Sequence, residues 1–214
     1  MQYAGRSMKV GDIIRLRPKG EILMENRKVQ SNISIHDMIL NTTLKDNTPE
    51  TVAEEIAKYY GTSSAFPIGD LARTLGFRIL VRRLSKRSLS GYIACDDQLT
   101  IPRLIVVNED DNYGHQRFTI AHELWHYCKR IGDIDQIAKR GGYYSPYDTD
   151  PKAQDEEELE ANRFAASLLM PEKEFMIAYQ GATVLKISYD SLKERFGVSR
   201  TAIDKRARTL GLVH

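Results

Sequence analysis

The five residues from 122 to 126 read His-Glu-Leu-Trp-His and carry the clearest chemistry in the chain. In a helix, His122 and His126 lie four residues apart and project from one face. Two imidazoles in that arrangement can bind one zinc ion, and Glu123 lies beside them as a base for an activated water molecule. The pattern therefore predicts a metal-dependent hydrolytic site on a helix.

A catalytic zinc takes three protein ligands and keeps one position open, so a third group is required. The next histidine after His126 is His214, the last residue of the sequence, so a carboxylate is the expected third ligand. Glu160 lies four residues before Phe164, on the apolar stripe of a predicted helix. A carboxylate on an apolar face is costly unless it is paired or bound to a metal. We therefore predict Glu160 as the third ligand.

The same helix offers other carboxylates near its start. Glu157 lies one turn before Glu160 and is the alternative ligand. We interpret Glu156 and Glu158 as solvated residues of the helix N-terminus, where acidic side chains suit the helix dipole.

Helix caps, helix-breaking residues and hydrophobic periodicity predict the helices and strands that must position these residues. Helical patterns are predicted at Pro49 to Ala57, Ile68 to Leu75, His115 to Arg130, Ala153 to Met170, Pro171 to Tyr179 and, as two helices, Tyr189 to Leu212. A small antiparallel sheet is predicted from Phe77 to Arg83, Gly91 to Cys95 and Leu99 to Asn108, which are rich in β-branched residues. Residues 131–152 contain glycine and proline breakers and are predicted to form a loop. The elements together predict an α+β fold.

Composition and charge narrow the class of protein. A chain of 214 residues with 42% hydrophobic residues can form one core domain with a small appendage. Its net charge of +2 does not mark the whole molecule as a polyanion binder. Two cysteines, no signal-peptide pattern and only short apolar runs predict a cytoplasmic protein without a membrane contact.

The segment from residue 181 to residue 214 resembles a helix-turn-helix, with Gly197 at the turn and Ser199 as the cap of the second helix. It holds seven Lys or Arg against three Asp or Glu, a local excess of +4. DNA contact through Arg200, Lys205 and Arg208 is therefore a candidate. We favour the alternative that these helices pack on the catalytic core.

The chain resembles the ImmA/IrrE-type zinc metallopeptidases over roughly residues 50 to 212. The resemblance rests on two stretches, Arg117-Phe118-Thr119-Ile120-Ala121-His122-Glu123-Leu124 and Glu160-Ala161-Asn162-Arg163-Phe164-Ala165-Ala166-Ser167-Leu168-Leu169-Met170-Pro171. It implies a zincin-like metallopeptidase core over residues 46–180, followed by a small helical subdomain over 181–214. No role is assigned to residues 1–45.

The resemblance also implies a site and a substrate. It makes His122, His126 and Glu160 the zinc ligands and Glu123 the general base. The substrate it implies is a helix-turn-helix transcriptional repressor, whose cleavage would derepress mobile-element or stress and DNA-damage genes. The alternative is a non-catalytic regulator or toxin–antitoxin binding module with the same fold.

Several further residues are candidates for roles at this site. A donor that stabilises the oxyanion is sought among His115, Tyr143, Tyr144 and Tyr147. Arg117 and Asn162 are candidates for orienting the ligands. Cys95 is a candidate regulatory zinc ligand that would keep the enzyme latent, although a buried apolar cysteine is the favoured interpretation. Trp125 stands where the family usually has glycine, and we expect it to fill core rather than line the cleft.

Overall fold

The computed structural model describes residues 47–61, 65–84, 89–95, 103–139, 151–184 and 189–213. Within these ranges the chain forms seven helices and three strands. In chain order they are α1 (Pro49–Tyr60), α2 (Ile68–Thr74), β1 (Arg78–Arg82), β2 (Gly91–Cys95), β3 (Arg103–Asn108), α3 (Tyr113–Lys139), α4 (Pro151–Leu169), α5 (Glu172–Val184), α6 (Tyr189–Phe196) and α7 (Arg200–Thr209). The predicted α+β class is confirmed.

The sheet has the strand order β1-β3-β2, so the last strand in sequence lies between the other two. β3 pairs antiparallel with β2 but parallel with β1, and Ile105 is the partner of both Ile93 and Ile79. We expected a small antiparallel sheet, and the pairing of β1 with β3 is parallel instead. The reason lies in β3, whose residues Leu104 to Asn108 are all buried. A strand buried along its length belongs in the middle of a sheet rather than at an edge.

Helix α3 bears the His-Glu-Leu-Trp-His sequence and starts just after β3. The side chain of Asn112 accepts a hydrogen bond from the backbone N–H of His115 at 3.0 Å, which satisfies a free donor of the first turn. The helix continues to Lys139, nine residues beyond the predicted end at Arg130. Part of the predicted loop is thus helical, and residues 140–150 lie outside the described residues.

Helix α4 packs on α3 and carries the acidic run. Its fully buried residues Ala161, Phe164 and Leu168 recur at helical spacing and form the face directed into the core. The ring of Phe164 lies 5.1 Å from that of Trp125. Trp125 is only 2% exposed, so this departure from the family pattern fills the core between the two helices.

The C-terminal helices belong to the same hydrophobic core as the sheet and α3. A Cβ on Gly114 of α3 would lie 2.5 Å from the backbone of Val198 and Ser199, so the turn between α6 and α7 contacts α3 directly. The Nε of Arg117 donates to the carbonyl of Gly197 at 2.9 Å, and its NH2 group donates to the carbonyl of Phe66. Arg117 therefore joins the C-terminal turn to α3.

None of the helices in the described ranges is long and apolar enough to cross a bilayer. The N-terminal segment 1–45 lies outside the described residues, so the structure adds nothing to its interpretation.

Candidate metal centre

Helix α3 brings His122 and His126 together, as their spacing requires. Their Nε2 atoms lie 3.3 Å apart and face the same cleft. His126 is 2% exposed, and the side chain of His122 is 15% exposed. The two imidazoles therefore present their ring nitrogens to one point at the edge of the core.

The third group at this point is Glu158 of α4. One of its carboxylate oxygens lies 3.1 Å from His122 Nε2, and the other lies 3.3 Å from His126 Nε2. Among the residues that the structure describes, these three side chains each offer one donor atom, and these atoms all lie within 4.8 Å of one another. We call His122, His126 and Glu158 the metal group.

The spacing of the two histidines suits a tetrahedral zinc ion. Ligand bonds of roughly 2.0–2.1 Å at tetrahedral angles place donor atoms about 3.3 Å apart. The two Nε2 atoms are 3.3 Å apart, and each faces a different oxygen of the Glu158 carboxylate, at 3.1 and 3.3 Å. Two imidazole nitrogens and one carboxylate oxygen are also a donor set that zinc accepts in catalytic sites.

The structure does not bring Glu160 to this group, which corrects our expectation. Its carboxylate forms an ion pair with Lys129 of α3 instead. Glu158 and Glu160 are two residues apart, so they project from nearly opposite flanks of a helix with about 3.6 residues per turn. Periodicity identified the buried stripe, but only the packing of α4 on α3 determines which flank faces the histidines.

Glu157, our alternative ligand, contacts the metal group from behind. Its Oε1 lies 2.8 Å from Nδ1 of His126, and both side chains are buried. A proton on Nδ1 leaves the lone pair of Nε2 free to bind a metal, so this contact orients the ring and selects its tautomer. In the sequence, Glu157 lies one helical turn before Ala161, and this spacing is the signal that its side chain lies on the buried face of the helix.

The carboxylates change the proton affinity of the histidine they surround. Burial opposes the charged form of His126, but the hydrogen bonds it donates to Glu157 and Glu158 raise its pKa to about 9. The hydrogen bonds from His122 and His126 lower the pKa of Glu158 well below its usual range. In the metal-free protein these carboxylates therefore favour the protonated form of His126.

Glu123 lies in the same cleft and is 7% exposed. Burial raises its pKa, whereas the neighbouring His122 and His126 act in the opposite direction. A backbone hydrogen bond at Ile93 of β2 also reaches this carboxylate. Its Oε2 is buried and has no hydrogen-bond partner among the described residues, so an acceptor is available beside the metal group.

A cleft of about 300 Å³ surrounds these groups. Its lining residues come from the segment that leads into β2, from the first residue of β2, from α3 and from α4: Leu89, Ser90, Gly91, His115, Phe118, Thr119, His122, Glu123, His126, Glu158 and Asn162. Ser90 is a lining residue that the sequence did not single out. The side chain of Asn162 donates to the backbone carbonyl of Glu158 at 2.9 Å, while Arg117 contacts other carbonyls and does not line the cleft.

Of the four candidate transition-state donors, the structure describes only His115. His115 lines the cleft but lies seven residues before His122, about 10 Å along the helix axis. That distance places it at the end of the cleft rather than beside the metal group. Tyr143, Tyr144 and Tyr147 lie outside the described residues.

The two cysteines also differ in what the structure describes. The backbone of Cys95 ends β2 opposite Arg103, and its side chain lies outside the described part of the chain, so its regulatory role stays a prediction. Cys128 is 1% exposed, and burial raises the pKa of its thiol to about 12. It is a core residue.

The candidate DNA-contacting residues lie on the outer side of α7. Arg200, Lys205 and Arg208 are all exposed. The guanidinium of Arg200 stacks on Tyr189 at 4.9 Å and lies 4.0 Å from Asp204. DNA contact through this surface stays a prediction, and salt-dependent binding that is lost on changing Arg200 and Lys205 would support it.

Comparison with known proteins identifies the family of this chain. The family model of peptidase M78, described as the IrrE N-terminal-like domain, matches residues 72–208. No curated protein matches the chain. A solved structure named "Mycobacterium tuberculosis transcriptional regulator" is similar at 20% identity and a TM-score of 0.49, covering 74% of this chain and 45% of that chain. The alignment thus spans less than half of that protein.

Proposed function

Because this chain belongs to the peptidase M78 family, the IrrE N-terminal-like domain family, we propose that it is a zinc-dependent peptidase. His122, His126 and Glu158 would hold the metal, and Glu123 would act as the general base. The observation that carries the proposal is the meeting of three side chains: the two histidine Nε2 atoms lie 3.3 Å apart, a spacing that suits tetrahedral zinc, and the carboxylate of Glu158 lies within 3.3 Å of both.

The chain's own residues support the steps of peptide hydrolysis. A bound zinc ion supplies the Lewis acidity that activates a water molecule and polarises a peptide carbonyl. Glu123 takes a proton from the attacking water and passes it to the leaving amine. Burial raises the pKa of Glu123, so its carboxylate is a stronger base than one in water. Glu157 holds His126 in the orientation and tautomer that metal binding needs.

The test is the variant Glu123→Gln, which keeps the shape of the side chain and removes the base. We expect zinc content to be unchanged and hydrolysis of a fluorescent casein substrate to fall by about 10²- to 10⁴-fold. Glu109→Gln, at an exposed position outside the cleft, is the matched control. Full activity in Glu123→Gln would refute the assigned role. A wild-type protein that binds zinc but cleaves nothing would favour the non-catalytic alternative.

We further propose that the substrate is a helix-turn-helix transcriptional repressor, whose cleavage derepresses mobile-element or stress genes. Family membership and the resemblance of the two core motifs support this choice. A small repressor encoded beside this gene is the natural candidate. Incubating that purified repressor with the zinc-loaded protein should yield two fragments in an intact-mass spectrum. Fragments of equal yield with Glu123→Gln would show that another protease produced them.

A further inference from the structure

We propose that the end of the cleft nearest the start of α3 is a side-chain pocket that selects tyrosine next to the scissile bond. This inference rests on the proposed peptidase function, because it concerns the residue that the substrate places beside the metal group. The pocket is formed by two walls, one from Leu89, Ser90 and Gly91 and the other from α3.

The position of the pocket follows from helix geometry. His115, Phe118 and Thr119 lie on the cleft face of α3, one and two turns before His122. A substrate carbonyl held at His122 therefore has this pocket within about 10 Å along the helix axis. That distance is the reach of a long side chain on a residue flanking the scissile bond.

The pocket is closed at its floor. A Cβ on Gly91 would lie 2.5 Å from both the Thr119 methyl and the Val106 carbonyl oxygen, so strand and helix touch there. Above this floor Leu89 and the ring of Phe118, both partly buried, provide apolar surface on opposite walls. A flat aromatic ring suits such a slot, and aromatic pairs contribute beyond the area they bury.

The far end of the pocket is polar. The Oγ of Ser90 and Nε2 of His115 form a hydrogen bond of 2.9 Å between the two walls. The Oδ2 of Asp111 lies 3.7 Å from the same nitrogen and is buried with no hydrogen-bond partner among the described residues. The serine hydroxyl can both donate and accept, and the carboxylate can accept, so this end of the pocket offers hydrogen-bond partners to a polar group.

Tyrosine is the side chain that matches both parts of the pocket. Its ring fits between the apolar walls, and its hydroxyl can accept from and donate to the Ser90 hydroxyl. Phenylalanine offers the ring without the polar tip. Lysine and arginine carry a charge but lack the flat apolar body.

The experiment measures binding of peptide hydroxamates to the zinc-loaded protein, because these compounds bind a catalytic zinc without turnover. The residue next to the hydroxamate is Tyr, Phe or Lys, placed on the amino side in one series and on the carboxyl side in the other. In one series we expect Tyr to bind about three- to tenfold more tightly than Phe, a modest effect because the side chain of His115 is 42% exposed. Ser90→Ala should reduce the Tyr-to-Phe ratio to about one, whereas Glu109→Gln, at an exposed position outside the cleft, should leave it unchanged.

The possible results separate this inference from the proposed function. Equal binding of Tyr and Phe in both series, tighter binding of Lys, or an unchanged ratio in Ser90→Ala would overturn the tyrosine pocket and leave the metal site intact. Absence of hydroxamate binding in every series would remove the peptidase proposal and this pocket with it. Zinc content and melting temperature of Ser90→Ala show that the variant is folded and loaded.

Discussion

Glu158 and Glu160 lie two residues apart on one helix and have opposite surroundings. Glu158 faces two imidazoles in the cleft, and its oxygens lie 3.1 and 3.3 Å from their nitrogens. Glu160 faces a lysine on the other flank and forms an ordinary ion pair. The side chain of Glu158 is the more exposed of the two, 40% against 20%.

In this pair the carboxylate that faces the two histidines is the more exposed one, so the buried stripe of the helix did not identify it. A catalytic ligand must border an open cleft, because a substrate has to reach the metal. A carboxylate in a salt bridge can lie deeper, because the neighbouring cation already neutralises its charge. The apolar-stripe argument therefore selected the carboxylate that a lysine satisfies instead of the one that the cleft requires.

The largest difference between the two carboxylates is expected in zinc affinity. Glu158→Ala removes one of three proposed ligands, so zinc affinity should fall by more than the roughly 10–100-fold that loss of an orienting residue causes. Zinc competition with a chromogenic chelator measures the loss, and Glu160→Ala is the matched control. If Glu160→Ala lost more zinc affinity than Glu158→Ala, the roles of the two residues would be reversed.

Glu157 should give an intermediate effect, since it contacts His126 rather than the metal. Glu157→Gln keeps a hydrogen-bond acceptor but removes the charge behind the ring, and zinc affinity should fall by about tenfold, the lower end of the usual range. Glu156→Gln, at an exposed neighbouring position, should leave the affinity unchanged. Equal affinities for both variants would show that the buried contact does not tune the site.

The pH dependence of zinc binding should report the proton that His126 loses when zinc binds. The pKa of His126 in the metal-free protein is about 9, and zinc binds the neutral ring, so binding releases this proton. Zinc affinity should therefore rise by about tenfold per pH unit between roughly pH 7 and 9 and then level off. Calorimetry in buffers of different ionisation enthalpy should detect about one proton released from His126 at neutral pH.

The same shift makes the metal-free protein less stable at high pH. A pKa raised from 6.5 to about 9 contributes stability that is fully present below pH 6.5 and is lost as the pH rises through 9. The melting temperature of the metal-free protein should therefore fall across that interval. A flat profile would contradict the proton bridge between His126 and the two carboxylates.

The smallest effect is expected for the stability of the protein when Glu160 is changed. Glu160→Ala breaks a partly exposed ion pair with Lys129, which should lower the free energy of unfolding by no more than about 1 kcal/mol. Denaturant unfolding of the zinc-free protein measures this change. A loss of several kcal/mol would mean that the pair helps to hold α3 against α4.

Local patterns in the sequence were sufficient for the helix that bears His122 and His126, because a spacing of four residues has the same meaning in any helix. They also indicated the α+β class and the C-terminal helical pair, whose cap Ser199 accepts from the backbone N–H of Ala202 at 3.2 Å. The strand order was not available from local patterns. It depends on β3 being buried along its whole length between two strands that precede it in sequence.

The sequence by itself determined the chemistry that this protein can support: two histidines and a base on one helix face, and a run of carboxylates on a later helix. Only the tertiary structure decided which carboxylate meets the histidines, which one lies behind them, and which residues of β2 close the cleft. The reason is that helical periodicity fixes the angular position of each side chain around its own axis, whereas the rotation of α4 against α3 is set by packing around residues such as Trp125 and Phe164.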